Sequence, residues 1–328
     1  MEMNLDHKIN LGFFPTPLQP LPRLSGKYPG FTIYIKRDDQ TGLASGGNKT
    51  RKLEYLIREA IEKNCNTVIT AGAQQSNHCR QTAAACAATG LECHLLLGGT
   101  EPEKYNGNLL LSYLLGAKIH FTGENRKGED TEILETELNS DGKRCYVVPY
   151  GGSNCIGALG FVNGVKELKQ QLTALNLEID YLFFASSSGG TQAGLTLGKD
   201  LFGLKAELMP INIDKSETEG LSLEQVVLNI VNEGKEMVDL RKDYQLKAIR
   251  LIKGYDENGY GVVSNDEIFA IRELATTEGI ILDPVYTARA FYAMLEHLKG
   301  KKVPPGSNVL FWHTGGLPAN FYYADQLK

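Results

Sequence analysis

The stretch SGGNKTRKLEYL, Ser45 to Leu56, sets a lysine where a double-glycine turn runs into a helical pattern. Backbone on both sides would hold such a lysine, and partial burial makes its amine less basic and more nucleophilic, as a Schiff base requires. Most lysines are solvated surface groups, so Lys49 alone carries little weight. Lys52 follows one helical turn later on the same side, where it can set positive charge against a phosphate; Arg51 points elsewhere and reads as a surface or ion-pairing group. A second loop lies in ASSSGGTQAGL, where a strand YLFF leads through Ser188, Gly189, Gly190 and Thr191 into a helix. Amides at the positive end of a helix dipole, approached closely over glycine, make an anion cradle, although a serine-capped turn is the plainer alternative. The loop lacks GK[ST] and G-x-G-x-x-G, so it supports a phosphate but neither ATP nor NAD. A third loop, AGAQQSNHCRQ, puts Gln75, Ser76, Asn77 and His78 at the carboxyl end of a strand, where open α/β sheets bind ligands. Helix capping by Ser76 or Asn77 is compatible with that role.

The elements that must position these loops alternate almost from end to end. After the strand FTIYIKRDD, Leu53, Leu56, Ile57, Ala60 and Ile61 mark one face of a helix over Lys49–Lys63. NTVITAG reads as a buried strand, RQTAAACAATG as a helix stopped by Gly90, and ECHLLLGG as the next strand. Two more helix–strand units follow, NLLLSYLLGA with KIHFTG and DTEILETELNSDG with RCYVVPYGG. YGGSNCIGALGF looks like a crossing between domains. Beyond the serine-glycine loop come the strand AELMPINI and a helix Asn265–Glu278 with a Ser264/Glu267 capping box. A strand GIIL, a turn, a helix and a last strand NVLFWHTGG complete the chain. This pattern predicts an α/β protein of two lobes with mainly parallel sheets and a cleft between them.

The bulk numbers fit that reading. Of 328 residues, 42% are hydrophobic and 22% charged, and a formal net charge of −5 argues against nucleic-acid or anionic-membrane partners. A small molecule is the expected ligand. The N-terminus shows no secretory pattern and no apolar run reaches spanning length, so a cytoplasmic protein is expected. Six cysteines without Cys-x-x-Cys spacing read as reduced thiols, Cys79 included. His78 reads equally as a ligand contact or a satisfied loop residue, His313 as packing, and no metal-ligand spacing is present.

Taken together, GGNKTRKLEYL, AGAQQSN, SSSGGTQAGL, LDPVYT and HTGG resemble the pyridoxal-phosphate (PLP) family that holds 1-aminocyclopropane-1-carboxylate (ACC) deaminase and D-cysteine desulfhydrase. The resemblance covers nearly the whole chain. It implies the tryptophan-synthase-β-type fold, with a large PLP domain from residues 1–51 and 159–328, a small α/β domain inserted at 52–158, and a homodimer. It makes Lys49 the lysine that links PLP and assigns the phosphate to Lys52 and the Ser188, Gly189, Gly190, Thr191 loop. Asn77 would bond the phenolic oxygen, Ser76 and Gln75 would lie near the substrate carboxylate, and Tyr260 and Tyr286 would complete the site.

Two positions bear on the branch within the family. ACC deaminases look like DPVYE and HLGG, with a glutamate facing the pyridine nitrogen; this chain has Thr287 and Thr314 there. A carboxylate keeps that nitrogen protonated and the ring a strong electron sink, whereas a hydroxyl does so far less, which suits elimination of a good leaving group such as thiolate. The resemblance therefore favours D-cysteine as substrate. The alternatives are ACC deamination, L-cysteate or D-serine elimination, and, from another class, a phosphate-ligand binding protein without catalysis.

Overall fold

The computed structural model describes residues 5–214, 217–218 and 220–328. Nine strands form two sheets: β1 (Leu18–Pro20), β2 (Thr32–Arg37), β3 (Thr67–Ala73), β4 (Glu92–Gly98), β5 (Lys118–Phe121), β6 (Cys145–Val147), β7 (Tyr181–Ser186), β8 (Glu207–Asn212) and β9 (Asn308–His313). The large sheet runs β1-β2-β9-β7-β8 and is parallel except for β1; the small sheet runs β5-β4-β3-β6 and is parallel throughout. This is the predicted α/β architecture.

The central strands are apolar on both faces because helices cover both. Along β7, Phe183 packs into one core while its neighbours Leu182 and Phe184 pack into another. β9 repeats the arrangement, with Val309 and Phe311 on one side and Leu310 and Trp312 on the other. In the small sheet, Val68, Leu95 and Leu97 share one core and Ile69 and Leu96 the other. The predicted strand GIIL is a correction: residues 279–282 pair with no strand. Ile280 and Leu282 are buried in the core, and the carbonyls of Ile281 and Leu282 accept from His313 Nε2 and Asn320 Nδ2 instead of a ladder.

The small sheet lies wholly between residues 67 and 147, while the large one takes strands from both sides of it. The expected domain limits at 51/52 and 158/159 fall inside two continuous helices, Lys49–Glu62 and Cys155–Ala174. These helices pack backbone to backbone at Gly160, where a Cβ would lie 2.3 Å from the Arg51 carbonyl oxygen. The helix Gly190–Phe202 docks on the other side of Cys155–Ala174, with a Cβ at Gly194 falling 2.3 Å from Ala158 O. Glycine is what lets the three helices converge, and with them the loops at their N-termini.

Of the two alternatives for Arg51, the structure gives the ion-pairing group, buried and not on the surface. Its Nε and Nη2 each donate to Asp38 at 2.8 Å, and Nη1 and Nη2 donate to Glu167 at 3.0 Å. Lys36, fully buried on β2, pairs with Glu167, and Trp312 Nε1 donates to Asp38 Oδ2 at 2.8 Å. Burial raises the Glu167 carboxyl, but Arg51 and Lys36 outweigh it and hold the group down at about 2. Two cations thus meet two carboxylates, and β2, β9 and both long helices are tied at one point. Removing one partner of such a buried set strands the others. Asp38→Ala should therefore lower unfolding free energy by about 3 kcal/mol in urea denaturation; an unchanged midpoint would contradict this role.

Candidate active site

Lys49 is the first residue of its helix, following Gly46 and Gly47 at positive φ. A Cβ at Gly46 would sit 2.0 Å from Asp39 O, so only glycine closes this turn. Asn48 joins three loops: its amide donates to Thr314 O at 3.0 Å and its Nδ2 to Thr191 Oγ1 at 3.2 Å. The third predicted loop is capped as its sequence suggests. Ser76 Oγ accepts from Cys79 N at 3.2 Å, opening the helix Asn77–Thr89, which Gly90 ends in the left-handed conformation.

These loops surround one cavity. Lys49, Ser76, Asn77, Ser188, Gly189, Thr191, Tyr286 and Thr314 all line it. Lys52 and Gly190 stand directly behind the wall. Lys49 Nζ donates to Gly151 O at 3.0 Å, and Lys52 Nζ donates to the same oxygen at 3.1 Å and to Ser153 Oγ at 3.1 Å. Neither amine pairs with a carboxylate among the described residues. Burial lowers Lys49 to about 8, with its hydrogen bond to Lys52 working the other way. Burial and then the charge of Lys49 push Lys52 well below the usual lysine range.

Asn77 is oriented by a neighbour. Asn108 Nδ2 donates to Asn77 Oδ1 at 2.8 Å, leaving the Nδ2 of Asn77 as its available donor, and Arg80 Nε donates in turn to Asn108 Oδ1 at 2.7 Å. Tyr286 shares a short hydroxyl–hydroxyl hydrogen bond with Tyr260, and burial raises both phenols well above 10. Both are protonated at neutral pH. His78 also lines the cavity. Thr70 gives its only proton to Val148 O at 2.8 Å, so the 2.9 Å contact between Thr70 Oγ1 and His78 Nε2 uses an imidazole N–H. Nδ1 is then a bare acceptor, buried without a partner, and burial together with both lysines keeps the ring neutral.

Three further predicted contacts do not line the cavity: Tyr260 reaches it only through its hydrogen bond to Tyr286, and Gln75 and Thr287 turn elsewhere. Gln75 turns to the next helix, its Nε2 donating to Asn106 O at 3.1 Å and its Oε1 accepting from Asn108 N at 2.9 Å. Thr287 is fully buried behind Tyr286 and donates to Asp283 Oδ1 at 2.6 Å. The reason is local: Asp283 accepts the amides of Val285, Tyr286 and Thr287 and so caps the helix Thr287–Lys299, drawing the threonine hydroxyl to itself. Sequence reasoning missed Tyr150, Gly151 and Ser153. The YGGS run that holds them has the same glycine-next-to-serine make-up as the loop it did identify.

A family model described as "Pyridoxal-phosphate dependent enzyme" matches residues 9–315. The chain belongs to this family. A D-cysteine desulfhydrase of Klebsiella pneumoniae (strain 342) is 41% identical over 324 residues, covering 95% of each chain. A Pyrococcus abyssi protein provisionally named 1-aminocyclopropane-1-carboxylate deaminase is 40% identical over 323 residues, covering 98% of this chain and 94% of that one. A crystal structure of an ACC deaminase homologue superposes with a TM-score of 0.88 at 35% identity, covering 98% of this chain and 95% of the other.

The residues of this PLP enzyme fit the cofactor. Gly189 begins the helix Gly190–Phe202 at φ 86° with no side-chain cap, leaving first-turn amides for an anion. Ser153 Oγ lies 2.8 Å from Ser188 Oγ and accepts from Gly190 N at 3.2 Å. A phosphate there would neutralise the uncompensated lysine pair. The cradle has no spare room at Gly190, where a Cβ would fall 2.8 Å from both Lys52 Nζ and Ser153 Oγ. Gly190→Ala should weaken PLP binding by about 10- to 100-fold, the equivalent of the 1–3 kcal/mol that overpacking costs. Absorbance titration checks it, and wild-type affinity would remove the loop from the phosphate site.

Proposed function

We propose that the protein is a PLP-dependent lyase that converts D-cysteine to pyruvate, hydrogen sulfide and ammonia. The observation that supports this most is that a buried amine lowered to about 8 and a protonated phenol line the same cavity, so a base and an acid can flank one small substrate. In this reading Lys49 carries the covalent link, and Lys52, Ser188, Gly189, Gly190 and Thr191 hold the phosphate. Asn77 would offer Nδ2 to the phenolic oxygen, and Thr314 would offer a hydroxyl on the wall of the same cavity. PLP, when bound, supplies the electron sink that acidifies the α-hydrogen of an attached amino acid.

The chain's own groups do the rest. Ser76 Oγ and the neighbouring Asn77 grip the substrate carboxylate. Lys49, released from its link, takes the proton from Cα; with its amine near 8, roughly a tenth is free base at pH 7, against a far smaller share for an ordinary lysine. Tyr286, paired with Tyr260, donates toward the departing sulfur. Position 287, where ACC deaminases have glutamate, is a threonine turned to Asp283, and position 314, where they have leucine, brings a hydroxyl to the wall; neither supplies a carboxylate, which supports elimination of a thiol over ring opening. A cytoplasmic homodimer acting on small amino acids completes the reading.

D-cysteine offered beside ACC, L-cysteate and D-serine should be the substrate consumed fastest, releasing sulfide and pyruvate. 2-Oxobutanoate from ACC without sulfide from D-cysteine would replace the proposal with ACC deamination. Lys49→Ala should abolish turnover and the visible absorbance of the bound cofactor together, and an active yellow variant would refute the role of this lysine. A group lowered to about 8 is protonated below that pH, so kcat, which reports the substrate complex in which this amine is free, should climb with pH and level off above about 8; a kcat profile flat from about pH 6 to 9 would exclude Lys49 as the base.

A further inference from the structure

Two neighbouring cations touch the phenols of the site, Arg126 and Lys127, whose Nζ stands 5.7 Å from the centre of the Tyr150 ring, and both come from the small sheet's side of the cleft. Arg126 lies in the loop after β5, and its Nη1 donates to the hydroxyl of Tyr150 at 3.2 Å. Its guanidinium carbon stands 4.4 Å from the centre of the Tyr260 ring. Nη2 donates to Asp214 Oδ2 at 2.7 Å, and Asp214 follows β8 of the large sheet. Lys127, beside it, lies 3.9 Å from the same carboxylate and donates to Thr218 Oγ1 at 3.1 Å. These contacts set two phenols and one carboxylate against the guanidinium, with a second cation beyond. Tyr150 lines the cavity, and Tyr260 bonds to Tyr286, which lines it too.

We propose that Arg126 is a positioning residue that holds Tyr150 and Tyr260 over the cavity and lends them positive charge while a proton passes to the leaving group. This rests on the elimination reading above. The proton from Cα goes to Lys49. The Cβ–S bond breaks with its electron pair going to sulfur, and the departing hydrosulfide anion takes the phenol proton to leave as hydrogen sulfide. Tyr286 recovers its proton from Tyr260 through their shared hydrogen bond, and the phenolate so left on Tyr260 faces the guanidinium until water returns its proton. Burial raises the Tyr150 hydroxyl to about 12 and Arg126 opposes it, the sign this role needs. Asp214 fixes the guanidinium from the opposite lobe, so the charge is in place only when the lobes meet.

The test compares leaving groups that do and do not need a proton. Chloride leaves β-chloro-D-alanine without one, whereas sulfide from D-cysteine takes one. In the holoenzyme, Arg126→Gln should lower the ratio of D-cysteine to β-chloro-D-alanine turnover by about tenfold or more, and Arg126→Lys should restore part of it. An unchanged ratio overturns the proposal, because a merely structural role slows both substrates alike. Tyrosine-labelled NMR, assigned with Tyr150→Phe and Tyr260→Phe, supplies a readout independent of turnover. Loss of the guanidinium should move both phenol titrations to higher pH. Unmoved titrations overturn the proposal as well, even in the case where wild-type enzyme consumes neither compound and only the elimination reading has failed.

Discussion

Two ammonium-bearing side chains, one helical turn apart, are buried against a single carbonyl oxygen with no carboxylate beside them. Water solvates such charges well and a protein interior does not, so the arrangement persists only with one amine neutral or with an anion supplied from outside. In the proposed reading both outcomes serve the chemistry: a neutral lysine is a nucleophile, and the phosphate of PLP would supply the anion. The site is built around a deficit that the polypeptide does not fill itself.

Holding that deficit requires a rigid helix start. Arg51, between the two lysines in sequence, faces the other way into a balanced set of charges with Asp38, Glu167 and Lys36. One turn of helix thus carries a neutralised buried network on one side and an unneutralised pair on the other. The glycine contacts at Gly160 and Gly194 then bring the phosphate loop to the pair. Arg80 adds a further tie, donating to Gly46 O at 3.0 Å on one side and to Asn108 on the other. The turn that carries Lys49 and the asparagine that orients Asn77 are so linked through one guanidinium.

Much of this was legible in the sequence. The helix beginning at Lys49, the strand–loop–helix units at Ser76 and Ser188, and the Ser264/Glu267 capping box all rest on local rules of periodicity and hydrogen bonding, and all appear in the fold. What stayed hidden depends on which neighbour a side chain meets. Whether Arg51 is exposed or ion-paired stayed open because the residues that bury it lie 13 and 116 positions away. Gln75 and Thr287 have the right types and places for a ligand, but each has a closer partner, Asn108 and Asp283. GIIL is apolar enough for a strand and fills the core without a ladder. Arg126 and Tyr150 belong to no local pattern, since they follow β5 and β6, the two edges of the small sheet, and meet only once that sheet has formed.

The chain returns from the small sheet to the large one through residues 148–154, and Gly151 and Gly152 adopt positive φ there. This return is also where Gly151 presents its oxygen to both lysine amines. A swing of one lobe about that glycine pair would carry the oxygen with it, altering how readily each nitrogen keeps its proton. If Lys49 carries the cofactor as proposed, the connection between the two sheets and the tuning of its nitrogen would share the same few atoms.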